Sequence, residues 1–189
     1  YPGAQAPYGM VQLSPDNGLP GWDRISGYFY PDTTIAGFSH THLSGTGAGD
    51  LYDISFMPVT RPYKEAPAPL GIYSTFSHNE EAASAGYYRV LLQDYNINVE
   101  LTATERCGIQ RYTFPKAEAS VFLNLKKAMN WDFTLDSYIE VIDSVTIRGY
   151  RFSQGWSPNQ HVYFQTRFSK PFVTYHMDTT AIVTKDKGQ

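Results

Sequence analysis

Two histidines two positions apart open the segment of this sequence that is richest in chemically useful side chains. His40 and His42 follow a short strand-like stretch and lead into a glycine-rich loop that ends at Asp50. In a strand, side chains at positions i and i+2 point to the same face, and a histidine pair at that spacing can begin a zinc site. Zinc needs at least one more ligand, and the other histidines have no motif spacing to this pair. The sequence therefore favours the alternative, two hydrogen-bonded histidines at a sheet edge, and we assign no metal ligands to this chain.

A second group of candidate residues combines aromatic rings with a carboxylate. Trp22 and Asp23 lie in a loop that also holds two tyrosines. An aromatic ring packs against the apolar C–H face of a sugar, and a carboxylate accepts hydrogen bonds from the sugar hydroxyls. The pair is therefore a candidate carbohydrate-binding site, whereas composition alone favours the alternative of a buried, structural tryptophan. For Trp131 and Trp156, which stand between predicted strands, the structural interpretation is favoured more strongly.

Carboxylates that could act as the acid and the base of a glycosidase are present in the first 53 residues, but their spacing singles out no pair. These loop candidates are Asp16, Asp23, Asp32, Asp50 and Asp53.

The elements that must position these residues are predicted to be β-strands. Tyrosine, phenylalanine and tryptophan make up 15% of the 189 residues, and all three favour pleated, half-buried surfaces. Apolar and polar residues alternate with a period of two in seven consecutive stretches, joined by short turns that favour antiparallel pairing. One single-turn helix is predicted at 78–85, capped by Asn79. The predicted strands are 97–104, 108–114, 119–125, 137–143, 145–152, 162–168 and 172–177.

We therefore expect an all-β fold, an antiparallel two-sheet β-sandwich. The prolines and glycines of the first seventy residues predict long ordered loops. The prolines and alanines of residues 62–69 predict an extended linker. The formal charge of −3 argues against nucleic acid as a partner. The sequence has no run of 18 or more apolar residues, so it predicts no membrane-spanning helix. The single cysteine, Cys107, excludes an internal disulfide.

Several short strings occur in a specific order along the chain. They are Pro7-Tyr8-Gly9-Met10-Val11-Gln12-Leu13-Ser14-Pro15-Asp16, Gly21-Trp22-Asp23, Ser26-Gly27-Tyr28, the run GFSHTHLSGTG that starts at Gly37, Leu101-Thr102-Ala103-Thr104-Glu105-Arg106 and Arg111-Tyr112-Thr113-Phe114-Pro115. Together these strings resemble the amino-terminal domain of glycoside hydrolase family 92, a family of exo-acting α-mannosidases.

The resemblance implies that residues 1–189 are an amino-terminal supersandwich domain, incomplete at its end. In such an enzyme the active site lies where this domain meets a catalytic (α/α)6 barrel, which is absent from this chain. The family resemblance further implies an inverting, calcium-dependent hydrolysis of terminal α-linked mannose in mannans or N-glycans, with α-1,2 linkages favoured, by a secreted or periplasmic protein. Because the catalytic carboxylates and most Ca²⁺ ligands belong to the barrel, we assign no catalytic residues here and expect the fragment alone to be inactive.

The resemblance also implies which residues of this chain approach the sugar. They lie in the family loop that reaches toward substrate and in the signature loop next to it, and they are Trp22, Asp23, His40, His42, Ser44 and Asp50. A domain that docks on a barrel is expected to expose a large aromatic patch when it is alone. The alternative function is a freestanding carbohydrate-binding β-sandwich with no chemistry of its own.

Overall fold

The computed structural model of the protein describes residues 1–44, 47–60, 71–126 and 131–177. Within these ranges the chain forms strands and two short 3-10 helices, Trp22–Arg24 and His78–Glu80. No helix of the described part is long and apolar enough to cross a membrane. The strands are β1 (Ala4–Gln5), β2 (Gln12–Asp16), β3 (Thr34–Ile35), β4 (Gly37–Ser39), β5 (Ser55–Val59), β6 (Ser74–Thr75), β7 (Glu81–Ser84), β8 (Tyr87–Leu92), β9 (Ile97–Ala103), β10 (Gly108–Thr113), β11 (Ser120–Asn124), β12 (Phe133–Asp143), β13 (Thr146–Gln154) and β14 (Gln160–Arg167).

These strands form antiparallel sheets, which confirms the predicted all-β class. A five-stranded sheet has the order β1-β2-β4-β5-β11, and a four-stranded sheet has the order β10-β9-β8-β7. A three-stranded sheet, β12-β13-β14, and the small β3-β6 pair complete the described architecture.

The five-stranded sheet is covered on both faces. Phe38 and Met57 pack in one apolar cluster with Val99 of the four-stranded sheet, which forms the expected sandwich. Phe56 belongs to a second cluster with Ile139 of the three-stranded sheet. Because neighbouring residues of a strand point to opposite faces, Met57 and Phe56 serve different cores, and all five positions of β5 are buried. The three-stranded sheet is thus a third layer, which the sequence did not predict.

Six of the seven predicted strands are confirmed, as β9 to β14. The seventh, 172–177, is not a strand in the structure. Its residues have high β-propensity, but Val173 is fully exposed and the segment pairs with no strand of the described ranges. A backbone hydrogen bond from the Phe172 amide to the Ser144 carbonyl does not make a ladder, and β-propensity alone does not form a strand.

The predicted single-turn helix at 78–85 is also wrong. A 3-10 turn ends at Glu80, its cap is Ser77 rather than Asn79, and the chain continues as β7. Strands β7 and β8 pair directly across the Ala85-Gly86 turn, where Gly86 has a φ of 73°. Sheet hydrogen bonds therefore override the helical preference of the alanines.

The first seventy residues hold more strand than expected, since β1 to β5 lie there and supply four of the five strands of the central sheet. The proposed linker at 62–69 lies outside the described residues.

A partly exposed cluster of aromatic rings is present at the surface, and the docking of the domain on a barrel stays a prediction. The cluster lies on the three-stranded sheet, where neighbouring rings contact each other with centroids 3.9 to 6.0 Å apart. Tyr163 of this face is 66% exposed. We call this surface the aromatic face, and it consists of Tyr138, Tyr150, Phe152, His161 and Tyr163.

Candidate functional site

Trp22 and Asp23 lie on the surface, in the first 3-10 helix, and neither is buried. Trp22 is 60% exposed, and its ring stacks on that of Trp131 with centroids 6.3 Å apart and planes 30° apart. The next residue, Arg24, donates two hydrogen bonds to the buried carboxylate of Asp32, which closes the loop onto the residues just before β3. The structure therefore excludes the alternative of a buried Trp22 and places a pair of exposed tryptophans beside a carboxylate.

A buried ion network lies directly behind Trp131. The guanidinium of Arg151, which is fully buried, donates to Asp53 and, at 3.0 Å, to Asp132. It also donates to the carbonyl of Leu125 at 3.0 Å. Burial raises the pKa of Asp132 although Arg151 opposes this effect. Because Asp132 is the neighbour of Trp131 in the chain, the network holds the base of the tryptophan pair on β13.

The same network holds the signature loop, by which we mean the described residues 40–44 and 47–54. Asp53 accepts a 2.6 Å hydrogen bond from the Thr41 hydroxyl, and the Asp53 amide donates to that hydroxyl at 2.9 Å. Leu51, Tyr52 and Ile54 have φ values of 82°, 63° and 57°, which are unfavourable for residues with a side chain. Strained backbone of this kind persists only where surrounding contacts impose it, and such strain clusters at functional sites.

The side chain of His42, a residue of this loop, is buried in the interior. Its Nδ1 is 2.6 Å from the carbonyl oxygen of Gln12, and its Nε2 is 2.8 Å from a carboxylate oxygen of Asp16. The φ of Gly27 is 85°, and a Cβ there would lie 2.7 Å from Asp16 and 2.9 Å from His42. The chain therefore needs glycine at this position, and the buried side chain of His42 anchors the loop to β2 through Gln12 and Asp16.

His40 is mostly enclosed as well. Its Nδ1 is 2.7 Å from the carbonyl oxygen of Ile54, and burial lowers the pKa of its imidazole. Both histidines are hydrogen-bonded, as predicted, but the prediction of a sheet edge is wrong, because they follow β4, which lies between β2 and β5 in the five-stranded sheet. Ser44, in contrast, is exposed at the surface of the signature loop.

Asp50 connects the signature loop to the turn between β13 and β14. Only 3% of it is exposed, and its two carboxylate oxygens accept from the amides of Trp156 and Ser157 at 2.9 and 3.0 Å. The side chain of Gln160 donates to the same carboxylate at 3.2 Å. A Cβ at Gly155 would lie 2.3 Å from Asp50, so only glycine lets the turn approach this closely. The turn presents Trp156 with 77% of its surface exposed.

These contacts divide the six predicted site residues into two groups. Trp22, Asp23 and Ser44 lie at the surface, whereas His40, His42 and Asp50 support the loops from the interior. The structure can therefore offer a sugar an exposed aromatic pair and a carboxylate, on loops that buried polar groups hold in place.

Comparison with known proteins identifies the family. The model of the glycosyl hydrolase family 92 N-terminal domain matches residues 1–189, the whole length of this chain. The chain belongs to glycoside hydrolase family 92.

Solved family 92 enzymes share the fold described above. An alpha-mannosidase of this family from Bacteroides thetaiotaomicron, solved in complex with mannoimidazole, is 41% identical to this chain, and the two structures superpose with a TM-score of 0.86. The match covers 92% of this chain and 23% of that enzyme. An inverting family 92 mannosidase from the same species is 27% identical with a TM-score of 0.72, over 95% of this chain and 24% of that one. An uncharacterized secreted glycosidase from Arthroderma benhamiae is 27% identical over 63% of this chain and 16% of its own length. This family 92 domain thus spans about a quarter or less of these relatives.

Sequence reasoning missed three parts of this candidate site. Trp131 and Trp156 were expected to be structural, yet both are exposed. The pairing of Arg151 with Asp53 spans 98 residues and has no local sequence signal. One available signal was Gly155 in the turn between two predicted strands, because glycine allows a close approach of the backbone to another group.

Proposed function

We propose that this domain forms one wall of the substrate site of an exo-acting α-mannosidase that removes terminal α-linked mannose from mannans or N-glycans, with α-1,2 linkages favoured. The observation that carries the proposal is the exposed Trp22–Trp131 pair beside Asp23, supported from behind by a buried ion network. Indole rings pack on the apolar face of a pyranose, and an exposed carboxylate accepts from its hydroxyls. The likeness to solved alpha-mannosidases supports mannose as the sugar.

The role of this chain is to bind and orient the glycan. Inverting glycosidases place an acid and a base roughly 6.5–9.5 Å apart on opposite sides of the scissile bond. In this domain Asp50 and Asp53 are engaged in holding loops, and their carboxylates are buried. We therefore assign the acid and the base to a carboxy-terminal (α/α)6 barrel outside this chain.

We also assign most of the calcium ligands to the barrel outside this chain. Among the described residues, no three His, Cys, Asp or Glu side chains are grouped so that they could hold a metal ion. In the proposed enzyme a bound Ca²⁺ would coordinate sugar hydroxyls, because it is a hard cation that prefers oxygen ligands. This domain supplies the aromatic and carboxylate contacts described above.

The partner of the domain is, in this proposal, its own barrel, and the aromatic face of the β12–β14 sheet is a candidate for the contact between them. A surface of clustered rings is typical of protein interfaces. Secretion or a periplasmic location is supported by the Arthroderma benhamiae relative, which is described as a secreted glycosidase.

A second candidate function is a freestanding carbohydrate-binding module. Two observations favour it: the rings of Trp22 and Trp131 are exposed, and the buried carboxylates of Asp50 and Asp53 hold loops in place rather than facing a substrate. Release of mannose distinguishes the two candidates, because a binding module retains glycan without hydrolysing it.

The experiment that tests the proposed function replaces Trp22 or Asp23 with alanine in the full-length protein. A hydrogen bond to a charged group contributes about 1.5–3 kcal/mol, so we expect kcat/KM for an α-mannobiose to fall about ten- to a hundred-fold in Asp23→Ala. Melting temperature should stay the same, because both side chains are exposed. Glu118→Ala, at another exposed carboxylate, is the matched control and should keep wild-type kinetics. Wild-type kcat/KM in both Trp22→Ala and Asp23→Ala would contradict the proposal.

A further inference from the structure

Trp156 combines a rigidly held backbone with a side chain that is almost free of protein contact. Its side chain is 77% exposed, so burial of the ring stabilises the fold little. Its amide, by contrast, is fixed at 2.9 Å by the buried carboxylate of Asp50. The turn is closed further by a 3.0 Å hydrogen bond from the Gly155 amide to the Ser157 carbonyl. A buried charge used to fix the backbone of an exposed tryptophan indicates that the position of the ring matters.

The three tryptophans of the chain lie close to one end of the three-stranded sheet. In the ladder between β12 and β13, Phe133 is opposite Gln154. Trp131 comes two residues before Phe133, and Trp156 comes two residues after Gln154, so both leave the sheet at the same end. Trp22 stacks on Trp131 and therefore joins them there.

The signature loop connects the two tryptophan positions from the inside. Asp53 of this loop reaches Arg151 and thereby the Trp131 segment, while Asp50 of the same loop holds the Trp156 turn. Two aspartates three residues apart thus fix two exposed aromatic positions at one edge of the domain. Rings held in this way bind with little loss of conformational entropy, which favours stacking on a ligand.

We infer that Trp156 forms a second sugar subsite, which receives a non-terminal residue of an α-linked manno-oligosaccharide. This inference rests on the proposed function, because it needs Trp22 and Trp131 to border the same glycan. Asp50 is then a positioning residue for the subsite, since its carboxylate contacts the turn and not the exposed surface.

The test compares substrates that differ only in whether a second sugar is present, using the full-length protein. α-Mannosyl fluoride carries one mannose, whereas α-mannobiose and α-mannotriose carry further residues. For Trp156→Ala we expect kcat/KM to fall roughly tenfold on α-mannobiose and α-mannotriose, equivalent to about 1.4 kcal/mol, through a rise in KM. Activity on α-mannosyl fluoride should be unchanged, and Trp156→Phe should recover part of the loss because it restores an aromatic ring.

Two further variants make the result specific. Asp50→Asn places an amide donor against the backbone donors of the turn, so it should also lower kcat/KM on α-mannobiose and α-mannotriose. Ile109→Ala removes a large apolar side chain that is 57% exposed on β10, in another sheet, and it should leave kinetics unchanged on all substrates.

Two outcomes would overturn the inference. Unchanged kinetics of Trp156→Ala on the oligosaccharides would show that no sugar contacts the ring. An equal loss on all substrates together with a lower melting temperature would show that Trp156 packs against another part of the enzyme. If Trp22→Ala lowers activity on α-mannobiose while Trp156→Ala does not, the proposed function stands and only the second subsite fails.

Discussion

Replacing Arg151 with methionine is the perturbation that most directly tests how the tryptophan pair is held in place. The guanidinium lies between the carboxylates of Asp53 and Asp132, and all three side chains are fully buried. Arg151→Met keeps much of the side-chain volume but leaves both carboxylates without their cation. Removing one partner from a buried ion pair costs more than the pair contributes, because the remaining charge has lost its hydration.

The expected size of the effect follows from this burial. Breaking a buried pair destabilises a protein by about 3–5 kcal/mol. For a domain of 150–250 residues each 1 kcal/mol lowers Tm by roughly 2–4 °C. We therefore expect Tm to fall by about 6–20 °C, together with a loss of activity on α-mannobiose, because Asp132 no longer holds Trp131 against Trp22.

Thermal unfolding with a matched control checks this expectation. Arg111→Met removes an arginine that pairs with Glu100 at the surface, where its side chain is 71% exposed, and it should leave Tm almost unchanged. Combining Arg151→Met with Asp53→Asn and Asp132→Asn removes the stranded charges and should recover part of the lost stability. An equal Tm for Arg151→Met and Arg111→Met would refute the reasoning that the network supports the site.

Two further predictions concern the loops of the site. Gly155→Ala places a Cβ 2.3 Å from Asp50, so steady-state kinetics should show a loss on α-mannobiose. Gly86→Ala is the control outside the site: its φ of 73° is unfavourable for alanine, so the variant should lose some stability, but its kinetics should not change. Burial lowers the pKa of His40 from 6.5, so the unfolded histidine binds a proton that the folded one does not, and its contribution to stability is lost as pH falls below 6.5. Tm measured against pH should thus fall less steeply in His40→Gln below pH 6.5, and an unchanged slope would argue against this role.

Strands with one polar face could be predicted from the sequence, whereas strands buried on both faces could not. β9 alternates buried and less buried positions along its length, and its period of two is visible in the sequence. β5 has every position buried and contains a proline, so it shows no alternation. The sandwich was therefore predictable from its outer strands, while the central sheet and its third layer were not.

The candidate site divides in a similar way. Trp22 and Asp23 are neighbours in the chain, and their combination indicates sugar binding without any structure. Trp131 and Trp156 are brought to one end of a sheet only because β12 begins and β13 ends beyond the predicted limits of 137 and 152. Asp50 reaches Trp156 across 106 residues, and no local pattern of residue types encodes a contact at that separation.

A crystal structure of the full-length protein with a mannoside analogue bound tests the central claim most directly. The measured quantity is the distance between the sugar carbons and the rings of Trp22 and Trp131. The account predicts that the C–H face of a mannose lies within about 4 Å of one of these rings, which is the range of an apolar contact, and that Asp23 accepts a hydrogen bond from the glycan. A mannoside bound with neither tryptophan nor Asp23 in contact would contradict the account.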